Sequence, residues 1–227
     1  MRGGMQGEVK TLAYVLRRTN YGEADRILNL ITPEGKLAAM AKGVRKARSK
    51  LAGGVEMFSL VQLEIHYGRG ELGVVTSAKM LNYYSGIVGD LSKMELAAMM
   101  LKRVSRAAES SDSPEYFKLT DQSLRALNDG VDARLVEGWF LLNLLRASGE
   151  EVNAYRDTEG AKLEAGQRYA WNASERAFSA RDGGEFGADE IKLLRLMLAV
   201  DLAVVARVKG VHEMMPQILA MARSYYI

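Results

Sequence analysis

Cysteine is absent from the 227-residue chain, and histidine occurs only at His66 and His212. Disulfides, thiol nucleophiles and thiolate metal sites are thereby excluded, and two imidazoles are too few for a zinc site, so neither metal nor cofactor is expected. Long apolar runs are missing too. The most apolar stretch, Leu193 to Val208, contains Arg195, Asp201 and Arg207 and is shorter than the roughly 20 residues a bilayer requires, so it reads as a buried helix. The opening MRGGMQGEVK has no apolar signal core, and residues 1–7 read as a frayed extension. A cytoplasmic protein without membrane attachment is the expectation. With 48% hydrophobic and 26% charged residues the chain can bury a core, which sets disorder aside.

The charge is unevenly placed. Residues 1–80 hold 13 Lys plus Arg against 7 Asp plus Glu, net +6, which leaves 18 against 21, net −3, for residues 81–227. Most of the excess lies in one run: Lys36, Lys42, Arg45, Lys46, Arg48 and Lys50 follow one another with no carboxylate between Gly35 and Val55. Six uncompensated cations make a face for polyanions, and Gly43, Gly53 and Gly54 supply the flexible backbone of a binding loop. A solvated charged surface is the bland alternative, against which the missing interleaved acids count. Tyr14, Tyr21, Phe58 and Tyr67 could stack on bases, though aromatics on alternating strands more often fill a core.

Val61, Leu63, Ile65 and Tyr67 alternate with Gln62, Glu64 and His66, a strand with one buried face. Four further β-like runs, Val9 to Arg18, Ile27 to Thr32, Leu37 to Ala41 and Leu72 to Ser77, bring the total to five and predict an OB-like barrel over residues 1–84. Gly68-Arg69-Gly70-Glu71-Leu72-Gly73 resembles a nucleotide-binding glycine loop, but it joins two strands and opens no helix, so it reads as a hairpin turn whose glycines supply positive φ. Gly35-Lys36 lacks the remainder of a Walker motif. Glu23 and Asp25 would share one strand face near Arg26 with no catalytic partner, which reads as a structural ion pair in a protein that is not an enzyme.

From residue 85 the period becomes helical, giving an α+β chain. Ser92-Lys93-Met94-Glu95 fits a capping box for a helix that buries Leu91, Met94, Ala98 and Leu101. Ser113-Pro114 opens a second helix that ends at Asn128-Asp129-Gly130, and a third spans Ala133 to Ser148, with Leu135, Trp139 and Leu142 on one stripe; these three are expected to pack together. Residues 150–187 form a polar insertion with a small hairpin around Tyr169 to Trp171 and Ala177 to Ser179. Two last helices, Asp189 to Lys209 and Glu213 to Tyr225, complete the domain, the first apolar nearly all round. Met94, Met99, Met100, Met214, Met215 and Met221 fill this core or line an adaptable peptide groove.

Tyr21, Glu23, Asp25, Arg26, Ile27 and Leu28, followed by Gly35-Lys36, Lys42-Gly43-Val44-Arg45 and Ser49, resemble in order and spacing the opening signature of the RecO family of bacterial recombination-mediator proteins. The resemblance implies DNA repair and recombination by a nucleoid-associated protein. Its cations would bind single- and double-stranded DNA, anneal complementary strands and, with RecR, help RecA replace single-stranded-DNA-binding protein. It also implies capture of that protein's acidic C-terminal tail on the helical part, for which Arg103, Arg125 and Arg134 are candidates. Many relatives carry a cysteine-ligated zinc element where residues 150–187 stand. Its ligands are missing here, so the hairpin must be held by packing around Tyr169, Trp171 and Phe178. Two other classes compete: an OB-fold RNA-binding factor, and a protein-binding adaptor whose basic loop grips acidic partners.

Overall fold

Along Ser59–Tyr67 the period of two is realised in space: Val61, Leu63 and Ile65 are fully buried while His66 is exposed. In the computed structural model, which describes residues 7–68, 72–111, 113–150 and 152–226, this strand is β4. The others are β1 (Gly7–Tyr21), β2 (Asp25–Thr32), β3 (Gly35–Ala41) and β5 (Gly73–Tyr83). In the order β1-β2-β3-β5-β4 they close a barrel. One long strand makes closure possible, because β1 pairs with β4 through Gly7 to Tyr14 and then with β2 through Tyr14 to Tyr21, with a bulge between Val15 and Arg17. The seam is parallel, Ala39 opposite Gly73 and Met40 opposite Val74. Inside lie Ala13, Val15, Leu28, Leu30, Ala39, Ala41, Val61, Leu63, Ile65 and Val75.

The expected role of the glycine turn changes here. Residues 69–71 lie outside the described residues, and neither Gly68 nor Gly73 is among the positive-φ glycines. Gly73 is required for space, since a Cβ there would stand 2.5 Å from Ile65 Cγ2 and 2.9 Å from the Tyr67 ring. Of the residues 1–7 expected to fray, Gly7 instead opens β1 opposite Tyr67, and the six before it lie outside the described residues.

The chain forms two compact units, Met1–Asn128 and Asp129–Ile227. The first contains the barrel together with α1 (Ser85–Val88), α2 (Leu91–Ser110) and α3 (Glu115–Asn128). Tyr14 ties them. Its neighbours Ala13 and Val15 point into the barrel, so its ring points out, onto Phe117 of α3 at 5.5 Å between centroids. The Tyr14 hydroxyl donates to Asp121 Oδ1 (2.5 Å) and lies 2.8 Å from the Tyr84 hydroxyl. Burial, and then the bond to Asp121, hold this phenol far above the ordinary tyrosine range.

The cap of helix α2 lies two residues before the expected one. Asp90 is the N-cap, accepting from the Lys93 amide (3.1 Å), and Ser92 lies inside the first turn. Ala97, Met100, Leu101 and Val104 form the buried stripe, whereas Leu91 is 71% exposed and Ala98 is exposed. An aspartate that both caps and complements the positive helix end wins over a serine further in.

In the second unit the central helix is α4 (Ala133–Ala147), buried at Leu135, Val136 and every position from Gly138 to Leu145. It packs with α5 (Ala188–Ala199) and α7 (Val211–Ser224), while α2 and α3 pack together in the first unit. The expected single helix from Asp189 to Lys209 is broken at Val200-Asp201 into α5, which has an exposed face, and α6 (Leu202–Val205). The carbonyls freed by the break find partners on α4: Trp139 Nε1 donates to Val200 O (3.1 Å) and Asn143 Nδ2 to Met197 O (3.0 Å).

The polar insertion carries the hairpin of β6 (Tyr169–Asn172) and β7 (Ala177–Ala180). Phe178 is fully buried among three rings, with centroids 6.5 Å from Tyr169, 5.2 Å from Trp171 and 5.1 Å from Phe186, and Trp171 Nε1 donates to Ser224 Oγ of α7 (2.9 Å). Phe178→Ala should therefore destabilise this unit by about 3–5 kcal/mol in a denaturant titration. A loss below about 1 kcal/mol would show that the hairpin does not depend on this aromatic cluster.

Candidate nucleic-acid interface

The basic run leaves the barrel at Ala41 and returns to it at Ser59, and the apolar residues within it explain its course. Val44 and Val55 are buried in the barrel core, and Leu51, Ala52 and Met57 pack against that core from outside. Lys42, Arg45, Lys46, Arg48 and Lys50 are left on the outer side, all exposed. The loop is a chain of turns, with Lys46 N donating to Gly43 O (3.1 Å), Ser49 N to Lys46 O (3.0 Å) and Gly54 N to Leu51 O (3.0 Å). Only part of the glycine reading holds. Gly43 has φ 62° and needs glycine's freedom, but Gly54 lies against the Ala78 backbone, where a Cβ would come within 2.5 Å. That position demands close packing, which is the opposite of flexibility.

The tip of the β1–β2 hairpin fixes the loop. Asp25 Oδ1 accepts from the Gly43 amide at 2.6 Å, the Arg45 amide donates to Ala24 O at 2.9 Å, and Arg45 Nη1 reaches Gly22 O at 3.3 Å. The acidic and basic residues singled out in the sequence therefore meet, though not as an ion pair within one strand. Glu23 is exposed in the turn, Arg26 Nε donates to Asn20 Oδ1 (3.3 Å), and Asp25 binds a backbone amide.

Lys36 stands apart. It lies near the start of β3, about 20 Å of strand from the loop, and its ammonium is 3.4 Å from Glu109 of α2. Glu56, the carboxylate that ends the acid-free stretch, pairs with Arg18 at 2.5 Å. Among the described residues no group of three or more histidine and carboxylate side chains could hold a metal ion, and no helix is long and apolar enough to cross a membrane.

Residues 5–84 match the family model for the N-terminal domain of recombination protein O, and residues 88–226 match that for its C-terminal domain. The chain belongs to the RecO family. It is similar to the DNA repair protein RecO of Roseiflexus sp. (strain RS-1), 33% identical over 195 residues that make up 86% of this chain and 66% of the relative. It is also similar to the DNA repair protein RecO of Dehalococcoides mccartyi (strain ATCC BAA-2266 / KCTC 15142 / 195), 34% identical over 147 residues, 63% of this chain and 56% of the relative. The chain thus spans less than two thirds of the length of each of these relatives.

The three arginines singled out on the helices are differently placed. Arg103 and Arg125 belong to the first unit and Arg134 to the second. Arg103 Nε donates to Met99 Sδ at 3.0 Å. Arg125 Nε donates to Asp121 Oδ1 (2.8 Å), which also takes the Tyr14 hydroxyl, and this bond holds the guanidinium above its ordinary pKa. Arg134 pairs with Asp132, the N-cap of α4, at 2.9 Å. Asp132 is held at a pKa of about 2, chiefly by the Arg134 side chain, and His212 Nδ1 lies 3.1 Å from Oδ2, the same oxygen that Arg134 Nη2 binds. Sequence reasoning missed the Asp25–Gly43 clamp and the Tyr14–Asp121–Arg125 cluster. Both join residues far apart in the chain, and only a left-handed glycine beside the cations could have hinted at the first.

Two outcomes follow from these bonds. Asp25→Ala should cost about 1–3 kcal/mol, since it leaves a partly buried amide without its charged acceptor, and should speed hydrogen exchange at Gly43; unchanged exchange would mean that Val44 and Val55 alone hold the loop. Asp132→Ala should cost about 1 kcal/mol at pH 7 as a lost cap. Because the folded pKa lies below the usual 3.8, the charged cap's contribution is complete above about pH 4 and is lost as pH falls through about 2. A cost that is flat across that range would remove the charge from the account.

Proposed function

We propose that this chain acts in DNA repair by holding DNA through its phosphates at the loop of Lys42, Arg45, Lys46, Arg48 and Lys50, without turning over any covalent bond. The observation that carries the reading is that five exposed cations stand on one ordered loop fixed at both ends in the barrel core. Lysine and arginine bind phosphates with release of counterions, so affinity depends on salt and little on base identity. Such a surface screens two phosphate backbones while the bases stay free to pair, which is what annealing of complementary strands requires.

Family membership supplies the setting: the named relatives are DNA repair proteins. On this reading the chain anneals strands and, with RecR, helps RecA replace single-stranded-DNA-binding protein, whose acidic tail would be met by arginines such as Arg103, Arg125 and Arg134. Lys36, already paired with Glu109, contributes less than the loop.

Binding of a labelled single strand across a salt series, beside Arg45→Ala/Lys46→Ala/Arg48→Ala, tests the reading. The wild-type affinity should fall steeply with salt, and the variant should lose affinity together with about two units of the log–log slope, at about 0.7 per lost phosphate contact. Equal binding by both proteins would take the loop out of the interface. Absence of binding by either would favour a protein-binding adaptor, and a marked preference for RNA would favour an RNA-binding factor.

A further inference from the structure

Of the four barrel aromatics that could stack on bases, Tyr14 and Tyr67 are buried and Phe58 is half-buried, but Tyr21 is 54% exposed. It stands where the hairpin tip meets the cationic loop. Tyr21 is the cross-strand partner of Asp25, so the two side chains share a face with Cβ atoms about 4.5–5.5 Å apart. Asp25 in turn holds the Gly43 amide, and Arg45 reaches the carbonyl of Gly22, the residue next to Tyr21. Arg17 lies on the same face four residues back along β1 in unbroken register, and is also exposed. A large ring is thus left in water beside Arg17 and Arg45. Tyr83 is 49% exposed as well, but its cross-strand partner is Ser59 rather than the residue that anchors the loop.

We propose that Tyr21 is the base-contacting residue of this interface and gives it a preference for single strands over duplex. The inference rests on the loop holding phosphates. A base whose phosphate is held by Lys42 or Arg45 can turn its face onto the Tyr21 ring. In a duplex that face is already stacked on its neighbours, so only an unpaired base gains the contact. Stacking on a ring requires no hydrogen-bond readout, so the preference is for unpaired bases of any identity.

The test measures affinity for a single strand and for a duplex of the same sequence, with Tyr21→Ala, Tyr21→Phe and the triple loop variant beside the wild-type full chain. Tyr21→Ala should weaken single-strand binding about tenfold or more, change duplex binding less than about twofold and leave the salt slope intact, while Tyr21→Phe keeps the ring and the affinity. The triple loop variant should weaken both substrates. If the loop variant behaves so but Tyr21→Ala binds like wild type, or loses both substrates equally, the stacking role is overturned and the phosphate loop stands. If the wild type binds neither substrate, both readings fall.

Discussion

The 2.6 Å hydrogen bond from the Gly43 amide to Asp25 is the constraint on which the cationic loop depends. It joins the start of β2 to the first turn of the cationic loop, and the Arg45 amide adds a second tie one residue away at Ala24. An ionised acceptor on a backbone amide is among the stronger protein hydrogen bonds, and it fixes the backbone without pairing with the lysine and arginine side chains. The acid of the hairpin therefore orders the cations without neutralising them. An ion pair would have cancelled the charge that the loop presents.

A comparable economy runs through Tyr14. It sits where β1 changes partner from β4 to β2, and its hydroxyl enters a cluster of Tyr84, Asp121 and Arg125. Asp121 accepts from both Tyr14 and Arg125, so the arginine compensates a carboxylate that holds the barrel strand to α3. This explains why the first unit extends through α3: the outward ring of β1 has its partners on that helix. Charge reversal at Arg125 would disturb this cluster whatever else the arginine does, so its surface position alone is no guide to a partner site.

Much of this was legible in the sequence. Strict alternation in β4, the acid-free run and the two short β pieces of the insertion each have one strong local cause, and the structure places the barrel, the exposed loop and the hairpin where those causes put them. The misses have separate causes. Ser92 fits a capping box, but Asp90 two residues earlier is the better cap, since it adds a charge to the acceptor at the helix end. The break at Val200-Asp201 depends on Trp139 and Asn143, some 60 residues earlier, taking the freed carbonyls. Lys36 belongs to the same sequence run as the loop cations, yet the length of β3 separates it from them. Composition counts charges along the chain, whereas the strand decides which of them meet.

The hairpin of the insertion and the cationic loop solve opposite problems. The hairpin has no metal-binding cysteines and gains order from apolar contact, with Phe178 enclosed by Tyr169, Trp171 and Phe186. The loop must keep like charges together. Five like charges on one loop repel one another, though water and salt weaken that repulsion. Val44 and Val55, buried in the barrel core, and the Asp25 bond hold the backbone in place against it. On the proposed reading a phosphate backbone would relieve this repulsion, so part of the free energy of binding would already be present in the folded loop. The anchors that hold the charges together would thus turn an unfavourable cluster into affinity for a polyanion.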